Sequence, residues 1–161
     1  CSHLGIGIDY IKEAIASTKW QGRLEKINKG NIQKHISSST EVWIDGGHNI
    51  AGAKAIQKWA QEGKVKKIIL VCGFLKNKDA KTILLILKNI INYIVFVPLQ
   101  NNKNCYSVNE LTSIAKTLDL KSYIKASVKE ALYSDLIIPK SKVLIFGSLY
   151  LVGEVLNLDK S

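Results

Sequence analysis

Apolar and polar positions along this chain switch repeatedly between strand and helix spacing. Leu4, Ile8, Ile11 and Ile15 share one helical face and predict an amphipathic lead-in helix over residues 2–17, entering from a preceding domain. Leu24 and Ile27 are the apolar positions of a short extended piece. The polar stretch 28–40, with Gly30 and three consecutive serines, reads as a loop or mobile hairpin. Val42, Trp43 and Ile44 form an apolar strand that stops at Asp45, and Gly46-Gly47 leads into a helix over about 50–62. The run 67–72 is apolar on both faces, as a central parallel strand must be.

The alternation continues to the end of the chain. A loop over 73–79 precedes a helix over about 80–88, and a strand over 93–97 is ended by Pro98. The helix predicted over 108–118 turns Leu111, Ala115 and Leu118 inward. A short edge-like strand follows at 123–124, a short helix at 128–133 and a last strand over 142–146. Gly147-Ser148 then turns directly into a helix running through 156. Strands alternating with helices predict an α/β, Rossmann-like three-layer domain: a mostly parallel sheet of about six strands with helices on both faces. The loops after Asp45, Cys72 and Phe146 then meet at the carboxyl edge of that sheet, where ligands of such sheets bind.

Composition narrows the picture. A chain of 161 residues is the size of one domain, 1–161, and 47% hydrophobic content with a mean hydropathy of +0.06 suits a soluble globular protein. No apolar run reaches the length of a membrane span and no signal-peptide pattern opens the chain. Cys1, Cys72 and Cys105 lack metal-ligand spacing and point to a reducing, cytoplasmic setting, with no metal site expected. The chain has no Met and begins at Cys1, which predicts a piece of a longer protein. The net charge of +10 raises nucleic acid as a partner, but the lysines are spread over every helix and loop, and the one tight cluster, 64–67, precedes a strand. Neither nucleic acid nor membrane is expected as a partner.

The candidate chemistry lies at the strand-to-helix turns. Asp45 and His48 stand where free backbone N–H groups and a helix dipole favour anions, although Asp before Gly-Gly is also a common turn and Asn49 a common cap. Ser148, at the entry to the last helix, can offer its hydroxyl to a carboxylate or phosphate, or serve only as an N-cap. Of 23 basic residues only Arg23 is arginine, whose planar fork suits bidentate contacts; it either takes such a role or pairs with a surface acid such as Glu25. No Gly-x-Gly-x-x-Gly follows the first strand and no Gly-Lys-Ser/Thr loop occurs, so the chain carries no phosphate loop of its own.

Asp45-Gly46-Gly47-His48-Asn49 with Gly52-Ala53, preceded by Trp20-Gln21-Gly22-Arg23-Leu24-Glu25 and closed by Gly147-Ser148-Leu149-Tyr150-Leu151-Val152-Gly153-Glu154-Val155, resembles the C-terminal domain of folylpolyglutamate synthase/dihydrofolate synthase, of the Mur ligase superfamily. The loop Gly73-Phe74-Leu75-Lys76-Asn77-Lys78-Asp79 is similar to that family's Gly-x-Leu-x-x-Lys-Asp segment. The resemblance implies an ATP-dependent ligase forming an amide between L-glutamate and dihydropteroate or a folate through an acyl phosphate. It implies that ATP and Mg2+ are held mainly by an N-terminal ATPase domain of the same protein, over which this domain closes, so that the piece alone is inactive and binds ligands weakly. It further implies that Arg23 and Asp45 reach the nucleotide, that His48, Ser148 and Tyr150 hold the incoming glutamate, and that His48 is the catalytic group.

The chain departs from the family pattern in four places. Gln21 and Ile50 stand where proline is usual, and Gly47 replaces a common alanine, which is expected to loosen the turn. The spacer from Arg23 to Asp45 is also longer than usual, which could displace Arg23. The alternative to the ligase is a non-catalytic Rossmann-like binding module or the remnant of a split ligase gene.

Overall fold

The computed structural model describes residues 7–10, 22–28, 30–63, 67–100 and 102–160. The lead-in helix expected over 2–17 lies outside the described residues except for 8–10, which are helical, and Trp20 and Gln21 of the first motif lie outside them too.

In chain order the elements are β1 (Glu25–Ile27), α1 (Asn31–His35), β2 (Glu41–Asp45), α2 (Ile50–Glu62), β3 (Ile68–Cys72), α3 (Ala80–Leu87), β4 (Ile91–Phe96), α4 (Val108–Thr117), β5 (Ser122–Ile124), α5 (Val128–Leu132), β6 (Lys142–Phe146) and α6 (Leu149–Lys160). They form one six-stranded sheet in the order β1-β2-β6-β3-β4-β5. Only β1 runs antiparallel, against β2. The expected three-layer α/β architecture is therefore the one observed.

Strand periodicity sorts the core. Ile68, Leu70, Cys72, Ile94, Phe96, Leu144 and Phe146 point to one face and meet the inner stripes of α2, α3 and α4. Their neighbours Ile69, Val71, Val95, Val143 and Ile145, with Val42 and Ile44, point to the other face and meet α1, α5 and α6. β3 is buried along its whole length, which is why it reads as unbroken apolar sequence.

Local chemistry sets the helix starts. The Asn49 side chain accepts from the Gly52 N–H at 2.8 Å, and Ser107 and Glu110 make a reciprocal capping box at the start of α4.

Several boundaries differ from expectation. The helix over 80–88 tightens at its end into a 3-10 turn, Lys88–Ile90, and β4 starts directly after it at Ile91. The last helix continues to Lys160. The stretch 28–40 is not a mobile hairpin. It contains α1, whose Ile32 is fully buried and whose Ile32 N–H donates to Asp159 of α6 at 3.1 Å. A five-residue helix with a single buried position leaves no periodic signal, and its anchor is 127 residues away.

Candidate functional site

The parallel register brings Asp45, Phe146 and Cys72 side by side, so β2, β6 and β3 end on one line. The three loops that follow cross within atomic contact. Gly147 N–H donates to the Gly47 carbonyl at 2.9 Å. A Cβ on Gly147 would lie 2.7 Å from the Gly73 carbonyl oxygen, and its φ of +106° also excludes an ordinary side chain. A Cβ on Gly47 would lie 2.7 Å from both Asp45 Oδ1 and Phe146, so a larger residue there would have to shift one of those side chains.

Asp45 is buried at this crossing, with 9% of its surface exposed. Its Oδ1 accepts from the Gly47 N–H at 2.6 Å and its Oδ2 from the Leu24 N–H at 2.9 Å. Arg23 Nη1 lies 3.9 Å from Oδ1, so the long spacer has not carried Arg23 away from Asp45. The spacer folds into α1 instead. Glu25 is not the acid beside Arg23: its carboxylate turns back to accept from the Gly22 N–H at 2.7 Å.

His48 begins the exit loop, half-buried. Its Nδ1 donates to the Gly46 carbonyl at 2.9 Å, which places the proton of the neutral ring on Nδ1 and leaves Nε2 as the free acceptor. Ser148 is buried at the start of α6, where its Oγ accepts from the Tyr150 N–H at 3.1 Å, so the cap reading holds. Its hydroxyl hydrogen is still available to donate. Tyr150 stands exposed on the first turn of α6, beside exposed Leu149.

The third loop is more structural. Phe74 fills the core beneath the crossing, Lys76 pairs with Glu110 at 3.2 Å, and Asp79 caps α3 by accepting from the Thr82 N–H. That backbone bond holds the Asp79 carboxyl below its ordinary range.

Asp45, His48 and Ser148 thus share the edge that the alternating pattern predicts, and Arg23, beside Asp45, and Tyr150, two residues past Ser148, join them. The crossing glycines and the inward turn of Glu25 were not anticipated. A glycine in each of the three loops was the available signal, but only the register shows that they touch. Among the described residues, cavities of 250 Å³ between β1 and α1 and of 420 Å³ along α5 touch none of these five residues.

A family model described as dihydrofolate synthetase, C-terminal domain, matches residues 28–158. Among solved structures, the Mycobacterium tuberculosis folylpolyglutamate synthase complexed with ADP and AMPPCP superposes with a TM-score of 0.75 at 20% identity, covering 97% of this chain and 36% of that one. E. coli FolC in complex with DHPP and ADP gives 0.73 at 22%, covering 95% of this chain and 34% of that one. The Helicobacter pylori folylpolyglutamate synthetase gives 0.70 at 23%, covering 98% and 36%. This chain therefore spans about a third of the length of these proteins, and at such identities the likeness establishes the fold alone. No curated protein sequence matches the chain significantly.

Proposed function

The chain belongs to the family of dihydrofolate synthetase C-terminal domains, and from that premise we propose that it is the closing domain of an ATP-dependent amide ligase joining L-glutamate to dihydropteroate or to a folate. One observation carries the reading: Arg23 and Asp45 lie side by side, and His48 and Ser148 follow on the loops after β2 and β6, which end on the same line of the sheet.

ATP would supply the activation: its γ-phosphoryl group passes to the substrate carboxylate with release of ADP, and the glutamate amine then displaces phosphate from the acyl phosphate. Asp45 retains lone pairs beyond its two backbone bonds and accepts from ribose hydroxyls, and Arg23 lies over the nucleotide next to it. The Ser148 hydroxyl and the Tyr150 phenol hold the carboxylates of the incoming glutamate. His48 presents Nε2 to its ammonium group, orienting the amine and taking its proton. The family resemblance assigns Mg2+, with the phosphates of ATP, to an N-terminal ATPase domain of the same protein. The three relatives reported above, two of them solved with ADP, support the nucleotide side of the reading.

His48→Ala in the complete protein tests the proposal, because the ring bonds to the Gly46 carbonyl and its loss leaves the glycine crossing intact. We expect kcat/KM for glutamate ligation to fall by about a hundredfold or more, with unfolding unchanged. A fully active His48→Ala protein overturns the assignment of His48, and a complete protein without ligation favours the non-catalytic binding module.

A further inference from the structure

We propose that Glu25 is a positioning residue, which holds Arg23 opposite Asp45 by fixing the turn 22–24; the inference rests on the nucleotide side of the ligase reading. The Arg23 guanidinium is not locked by its own ion pair. At 3.9 Å from Asp45, and with half of its side chain in solvent, the contact contributes little by itself. The position of Arg23 comes from the backbone on which it stands, and that backbone is strained and unusually well tied.

Arg23 sits between Gly22, with φ +73°, and Leu24, with φ +44°, so the chain takes a left-handed conformation on both sides of it. For leucine this conformation is costly and persists only where neighbours over-determine it. Three hydrogen bonds do so. Leu24 N–H donates to Asp45, the Gly22 carbonyl accepts from the Gly46 N–H at 2.8 Å, and Gly22 N–H donates to the Glu25 carboxylate.

Gly22 also lies against Val152 of α6, where a Cβ would come within 2.6 Å. Glu25 itself is anchored by β1, paired with Ile44 of β2, so its side chain reaches back from a strand-fixed position to the start of the turn. Of the three bonds, only this one uses a side chain that is neither Asp45 nor backbone, and its charged acceptor makes it one of the stronger ones. Without it the turn keeps two ties and relaxes toward ordinary φ values, carrying the guanidinium away from the nucleotide edge.

The test uses the complete protein with Glu25→Ala and Glu25→Gln, read by steady-state ligation and by amide hydrogen exchange over the peptide 22–27. Glu25→Ala is expected to raise KM for ATP by about tenfold with kcat within about twofold, and to speed exchange in that peptide. Glu25→Gln, whose amide oxygen still accepts from Gly22, recovers most of both. An unchanged KM for ATP in Glu25→Ala, in a protein where Arg23→Lys does raise it, overturns the positioning role and leaves the ligase reading standing. A raised KM that glutamine does not recover also overturns it, since the acceptor would not be the active feature. If the unsubstituted protein neither binds nor consumes ATP, the functional reading fails first and this inference fails with it.

Discussion

Strand β2 carries a carboxylate at each end, and the fold holds the two in opposite ways. Glu41, at the amino end, is closed off by cations: Lys26 Nζ and Lys142 Nζ each lie 2.6 Å from one of its oxygens. Those contacts, Lys142 first and then Lys26, pull its pKa down to about 2. Asp45, at the carboxyl end, meets no cation at such distance among the described residues. Its bonds go to two backbone N–H groups, and its one guanidinium neighbour stays at 3.9 Å and half-exposed. The two lysines clamped on Glu41 compete with any ligand there, whereas Asp45 is held in place by backbone donors and leaves its charge to a half-exposed arginine and an incoming group. The same strand therefore ends in a structural carboxylate on one side and a candidate binding carboxylate on the other.

The contrast can be broken most severely at the carboxyl end. Gly147→Ala forces a Cβ into the Gly73 carbonyl at a φ that alanine avoids, so the three loops must part. Urea unfolding should show a loss of about 3 kcal/mol. A loss under about 1 kcal/mol would mean that the crossing is not what fixes the edge. Asp45→Ala comes next. It strips the acceptor from the Gly47 and Leu24 N–H groups and should cost about 2 kcal/mol. Asp45→Asn should cost less, because the amide oxygen can still accept from one of them. Equal losses in the two variants would show that the carboxylate acts through charge instead of through these bonds.

How much of this could be read from the chain depends on the range of each interaction. The long periodic elements and the sharing of one edge by Asp45, His48 and Ser148 follow from local spacing and from the right-handed logic of parallel α/β sheets. The caps at Asn49 and Ser148 are three-residue and two-residue effects and are legible for the same reason. What sequence hid is long-range. The docking of α1 depends on Asp159, the contact of Gly147 with Gly47 and Gly73 depends on sheet order, and the choice of Arg23 between Glu25 and Asp45 depends on a turn whose leucine adopts a positive φ that no composition rule predicts. Serine-rich polarity over 28–40 even pointed the wrong way, because one buried isoleucine outweighs its neighbours once a docking surface exists.

The smallest expected effect sharpens the comparison from the amino end, through pH. Because the folded-state pKa of Glu41 is depressed, from 4.5 to about 2, its ionised form is favoured by folding and its stabilisation is fully present above the unfolded value. It is lost as pH falls through the window from about 5 to about 2. The side chain is 30% exposed, so solvent screening reduces the contribution to about 1 kcal/mol. Glu41→Gln should therefore unfold more easily than the parent by about that amount at pH 7, and the gap should narrow through pH 4 and close near pH 2. Denaturant midpoints collected across that range decide the matter. A gap that stays constant down to pH 2 would assign the stability of this end to uncharged contacts such as the bond from the Trp43 indole N–H, and the two ends of β2 would then differ in geometry but not in how their charge is used.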